Sequence, residues 1–149
     1  MDVDLCVVIT DKNQKEIDPE NLFIFLKQKL LDFNVEYKPF TNISDPLKHS
    51  LIRIAHIEGE CPTIDILFAH YGWEIEALEN AEDLGLAFPC FSKPYLVAMK
   101  LQAGGLKDEY DILNLLSVMG QKEKEKALNL SKIVHKDKRF RKLKMLQHS

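Results

Sequence analysis

The sequence predicts a mixed α+β (α/β) fold, and three observations lead there. Short apolar, β-branched runs recur through the first half, amphipathic helical stretches fill the second, and no apolar run approaches the ~20 residues that span a bilayer. The first run, VDLCVVI at 3–9, reads as a buried strand ended by the turn-rich TDKNQK. Asp18-Pro19-Glu20 then opens a helix, with an N-cap, a first-turn proline and an acid at the positive end of the dipole. Leu22, Leu26, Leu30 and Phe33 give that helix its apolar stripe. Further strands are expected at 35–40, 51–57 and 63–69, with the loop TNISDP between the first two. A short amphipathic helix at 73–81 and a last short strand at 84–88 follow.

The remainder is helical by pattern. Ser92 caps a helix over 93–103, Gly104-Gly105 breaks it, and Asp108 caps the next, over 109–119. Gly120 separates a further helix at about 122–134, and Phe140, Leu143 and Leu146 fall along one face of a helical tail. The expected organisation is one domain over 1–120 and a helical extension with a basic tail over 121–149.

Composition narrows the function classes. A chain of 149 residues, 46% hydrophobic, is long and apolar enough to bury a core without disulfide staples. With 29% charged residues and a net charge of −3, it is neither a disordered acidic chain nor a generally basic nucleic-acid binder. The charge is uneven: 132–149 carries seven basic residues against one acid, a segment charge of +6, so what precedes it carries −9. Cys6, Cys61 and Cys90 show no metal-ligand spacing and read as buried free thiols of a reducing compartment. The N-terminal residues lack the basic-then-apolar signature of a signal peptide, so the expected location is the cytoplasm, away from membranes.

Three carboxylates stand out. Asp2 and Asp4 are two apart at the entry to a strand, so they share a face about 7 Å apart. Repulsion and desolvation oppose their ionisation unless a cation lies between them, and hard divalent cations prefer such oxygen ligands; a solvated chain end is the plain alternative. Asp65 sits mid-strand between Ile64 and Ile66, where aspartate is depleted and an unpaired one is costly to bury. It needs either a cation, shared with Asp2 and Asp4, or a basic partner, for which Arg53 on a neighbouring strand is the candidate.

The segments DVDLxV, IDILFAHYGWEIEALENAE and KPYLVAMKLQAGGLKDEYDILNLL together resemble the nucleotidyltransferase superfamily, and within it the small bacterial proteins around the AbiEii-type toxins. The most specific part is LVAMKLxAG followed by KDxxDIxxL, within 95–116, and the likeness extends to about Gly120. The resemblance implies a mixed sheet with helices on one side and a C-terminal helical segment. It implies Mg²⁺ or Mn²⁺ held by Asp2, Asp4 and Asp65, an NTP as substrate, and transfer of NMP to an RNA or protein hydroxyl. By the same likeness Asp65 helps deprotonate the acceptor, while Lys100 and Lys107 contact the nucleotide; Asp108 and Asp111 fit a scaffold role.

Two family features are missing. Active members carry a Gly-Ser pair upstream of DxD, whose backbone N–H groups cradle the phosphates, whereas here Met1 abuts Asp2. Gly105 also stands where relatives often carry arginine. The expectations are therefore a transferase truncated at its phosphate cradle, a chain whose natural start lies upstream, or an inactive module acting by homo-oligomerisation or by partner or RNA association. His70, after the Asp65 strand, is placed to line a cleft or simply to be exposed, Trp73 reads as a core or interface aromatic, and the basic tail as a solvated charge run.

Overall fold

The computed structural model describes residues 3–8, 13, 15–40 and 49–148. The chain divides into two compact units, Met1–Ile75 and Glu76–Ser149. Among the described residues there are four strands and six helices, an α+β fold, and no helix is long and apolar enough to cross a membrane.

The first unit holds β1 (Val3–Val7), α1 (Pro19–Lys29), β2 (Phe33–Lys38), β3 (Leu51–His56) and β4 (Ile64–Phe68). The strands form one sheet in the order β1-β4-β3-β2. β1 runs parallel to β4, and the β4–β3 and β3–β2 pairs are antiparallel. Side chains alternate across a strand, and β2 shows it most plainly, with Val35 buried between exposed Asn34 and Glu36. Val35, Ile52, Ile54 and Phe68 are buried on one face, with Ile64, Ile66 and Tyr37 partly buried beside them.

α1 covers that face with Leu22, Phe23 and Leu26, joined by Leu30 just past its end. Its start follows the expected chemistry, with Pro19 in the first turn and the Asp18 carboxylate accepting the Glu20 N–H at 3.0 Å. Phe33, read from the sequence as the end of the helical stripe, is instead the first residue of β2. It still packs into the same core, because the chain turns only briefly after Leu30. Burying such side chains contributes roughly 1.5–3 kcal/mol each, which makes the apolar pattern decisive for register.

α2 (Gly72–Glu79) carries the division between the units. The second unit continues with α3 (Lys93–Ala103), α4 (Leu106–Val118), α5 (Gln121–Ile133) and α6 (Asp137–Gln147). Their shared core is Val97, Leu101, Ile112, Leu116, Met119, Ala127, Phe140 and Leu143. Thus α5 and α6 bury their apolar faces against α3 and α4 within one unit. Leu146, expected on the buried face of the tail helix, is 61% exposed, one turn beyond the reach of that core.

Two boundaries differ from expectation. α4 begins at Leu106, with Gly105 as N-cap, and Asp108 is its third residue. The Asp108 carboxylate reaches back to accept the Gly105 N–H at 3.0 Å, so an acid that looks like a cap acts one turn inside the helix. Residues 84–88 form no strand. Gly85 takes a φ of +75°, its N–H bonds the Asp83 carboxylate at 2.9 Å, and Leu84, Leu86 and Phe88 lie exposed in a loop. Glu82 and Cys90 close the loop's neck through paired backbone bonds of 2.7 and 2.8 Å.

A charged row across the sheet as candidate functional site

On the face opposite the first unit's core, each strand carries a charged side chain flanked in sequence by two apolar residues, and β2 adds Lys38 two residues beyond its own. The register aligns them. Asp4 on β1 partners Asp65 on β4, Asp65 partners Arg53 on β3, and Arg53 partners Glu36 on β2. Directly paired residues point to the same face, so Asp4, Asp65, Arg53 and Glu36 form a transverse row with neighbouring backbones about 5 Å apart. The row holds three carboxylates and one guanidinium.

Arg53 joins its register partner Asp65 through a fork. Nε donates to Oδ1 at 2.8 Å and Nη2 donates to Oδ2 at 2.9 Å. The Asp65 side chain is 15% exposed and that of Arg53 45%. The pair is therefore half-solvated and contributes about 1 kcal/mol, while satisfying the carboxylate that the strand would otherwise strand in an apolar setting. Of the two partners the sequence left open for Asp65, the basic one is present.

The other expected site residues fall as follows. Asp4 is exposed at the edge of the row, and Asp2 lies outside the described residues. Among the described residues no three His, Cys, Asp or Glu side chains cluster closely enough to hold a metal ion. Asp4 and Asp65 are hard oxygen donors on one face and suit a divalent cation chemically, but the third expected ligand is not among the described residues and Arg53 already engages both Asp65 oxygens.

Lys100 belongs to the second unit, on α3, where its Nζ lies 2.9 Å from Asp111 Oδ2 and 3.3 Å from Asp108 Oδ1 on α4. Partial burial lowers its basicity, but the two aspartates outweigh this and hold Lys100 above the ordinary lysine value. The K-D-x-x-D segment thus has a local purpose, fastening α4 to α3. Lys107 is exposed in the first turn of α4. Lys100 and Lys107 lie in a different compact unit from Asp65.

Three readings of single residues resolve. Trp73 is buried, 6% exposed, as a core aromatic. His70 is exposed and lines a cleft of about 280 Å³ with Val7, Val8, Glu16 and Phe40, at the C-terminal ends of β1 and β4. Of the thiols, Cys61 is exposed rather than buried, while Cys6 and Cys90 are half-buried, and all are free. Burial, and then the Glu74 carboxylate, push the Cys6 thiol up to about 12.

Sequence reasoning missed two features. Glu36 completes the row, and its signal was present: a charge between Val35 and Tyr37, matching Arg53 between Ile52 and Ile54 and Asp65 between Ile64 and Ile66. The second is a buried His49–Glu74 pair, 4% and 0% exposed. Glu74 Oε2 meets His49 Nε2, and Oε1 accepts the His70 and Tyr71 N–H groups at 3.1 and 2.9 Å. It fastens the start of α2 to His49, two residues ahead of β3. No spacing rule links residues 25 apart, so only the acid at the third position of a helix hinted at it.

The sequence matches no protein-family model and no curated protein.

Proposed function

We propose that this chain is a divalent-metal-dependent nucleotidyltransferase that moves an NMP from an NTP to an RNA or protein hydroxyl. The observation that supports this reading best is the pairing of Asp4 with Asp65, in register on neighbouring parallel strands and on the face of the sheet opposite the first unit's core. Asp4, the second aspartate of the DxD motif, and the later strand aspartate of the resemblance thereby fall on adjacent strands. A Mg²⁺ or Mn²⁺ ion bound by Asp2, Asp4 and Asp65 would supply charge neutralisation for the triphosphate and acidify the acceptor hydroxyl. In this reading Asp65, the most enclosed of the row's carboxylates, orients the acceptor and takes its proton, and the apolar neighbours Ile64 and Ile66 hold the strand rigid behind it.

The test is incubation of the purified protein with α-labelled NTPs, Mg²⁺ and cellular RNA or protein. Label transfer that disappears in Asp65→Ala supports the reading; absence of transfer in the parent protein contradicts it.

A second reading is favoured by the Arg53 fork on Asp65. A guanidinium seated where a cation is expected suits a catalytically inactive module of the same fold, acting through association with RNA, a protein partner or a second copy. The basic residues of α6 would serve it, since Lys138, Arg141 and Lys142 are exposed while Phe140 and Leu143 anchor the helix. Micromolar binding of Mg²⁺–NTP in calorimetry would contradict this second reading.

A further inference from the structure

Two exposed surfaces of the second unit are opposite in charge, and each is partly apolar. The first is the loop between α2 and α3, where Leu84, Leu86 and Phe88 are 61%, 65% and 61% exposed. Specific contacts hold this tip out. The backbone bonds between Glu82 and Cys90 close the loop's neck, and the Asp83 carboxylate accepts the Gly85 N–H inside it. Three large apolar side chains on one short loop leave a few hundred Å² of apolar surface in water, the size that marks an interaction site. The setting is acidic, since residues 76–92 include Glu76, Glu79, Glu82 and Asp83 and no lysine or arginine.

The second surface is the outer face of α6. Lys138, Arg141, Lys142 and Met145 follow one another at helical spacing and are all exposed, while Phe140 and Leu143 are buried on the other side. Met145 offers a pliant apolar contact, and the aliphatic stems of the lysines extend it.

We infer that these two surfaces form one interface between two copies of this chain. The loop of each copy seats its apolar tip against Met145 and the lysine stems of the other's α6, and its acids face Lys138 and Lys142. Charge complementarity selects this occupant. An RNA or an anionic membrane suits α6, but the acids of the loop repel it and the apolar tip stays in water. A second copy covers both surfaces with one kind of contact. A reciprocal pair also closes, using each surface once per chain, and closed twofold pairs are the commonest soluble homo-oligomers. The interface holds whether or not the chain transfers nucleotides, because it uses neither Asp65 nor any other member of the charged row.

The experiment is sedimentation velocity of the full chain over about a hundredfold range of concentration, in low and in high salt. The parent is compared with Leu86→Ser/Phe88→Ser, Glu79→Lys/Glu82→Lys and Lys138→Glu/Lys142→Glu, each checked for an unchanged thermal transition, as exposed positions allow. The parent forms a dimer that weakens as salt rises. Leu86→Ser/Phe88→Ser weakens it about a hundredfold, and each charge reversal alone about tenfold or more. An equimolar mixture of the two charge-reversed chains regains the parent's affinity, because each reversed loop then meets a reversed helix. A mixture no stronger than its components overturns the loop-to-helix contact, as does a dimer indifferent to all three changes. Species larger than a dimer overturn the reciprocal closure. A parent that stays monomeric overturns the interface altogether, and its cosedimentation with poly(U) or phosphatidylserine vesicles, lost in Lys138→Glu/Lys142→Glu, would assign α6 to a phosphate-bearing surface instead.

Discussion

Two buried or half-buried ion pairs organise the first unit, and they differ in kind. Asp65–Arg53 lies at the solvent boundary, with the Arg53 side chain 45% exposed. His49–Glu74 is sealed, and Glu74 also serves two backbone N–H groups, so removing one partner leaves a charge or dipole with no access to water. Glu74→Ala is expected to cost about 3–5 kcal/mol, measured by urea unfolding, against about 1 kcal/mol for Glu36→Ala on the open face. The thiols supply a second expectation. Cys6, pushed up from 9.0 to about 12, stays a thiol at pH 8, whereas Cys61 is exposed. Iodoacetamide should therefore modify Cys61 in minutes and Cys6 only on unfolding, as read by peptide mass mapping. Because the folded thiol keeps a proton that the unfolded chain releases above about pH 9, this term favours folding less and less between pH 9 and about 12. At this scale the sequence was informative where a charge interrupts an apolar strand, as at Asp65. It was silent on His49–Glu74, because that contact is made by tertiary packing between segments without a shared period.

Elements were legible wherever local chemistry and apolar period agreed. The Asp18-Pro19 start of α1 and the Gly104 stop of α3 are set within a few residues of chain, and both stand where the pattern places them. Gly104 has a φ of +74° and closes α3 by donating its N–H to Lys100 O at 3.0 Å. Gly104→Ala is expected to cost about 1 kcal/mol in thermal or urea unfolding, because an L side chain is strained there. The two misplaced elements have physical reasons. A carboxylate satisfies a helix start equally from the N-cap or from the third helical position, which displaced the expected start of α4 by a turn. The run 84–88 has strand composition, but no neighbouring strand pairs with it and Gly85 bends it away, so composition alone misled.

At the scale of the whole molecule, each unit has its own apolar cluster, one under the sheet and one among α3 to α6. Phe140 and Ile52 are both fully buried, one in each cluster. Phe140→Ala is expected to destabilise by about 3–5 kcal/mol and Ile52→Ala by about 2–5, read by circular dichroism during denaturant titration. The fold class and two of the carboxylates of one sheet face, Asp4 and Asp65, were legible in the sequence, whereas Glu36 was missed. The division at Ile75–Glu76 was not, since it falls within a helix and leaves no linker signature. The charged row depends on register, which the alternation of each strand constrains but which pairing between strands fixes.

The proposed role of Asp65 as a metal ligand in nucleotide binding is tested most directly by calorimetric titration of the protein with an NTP, with and without Mg²⁺, alongside Asp65→Ala. The expected result is micromolar binding that requires Mg²⁺ and is lost in Asp65→Ala. Binding that ignores Mg²⁺, or survives the loss of Asp65, or no binding to the parent protein, would contradict it.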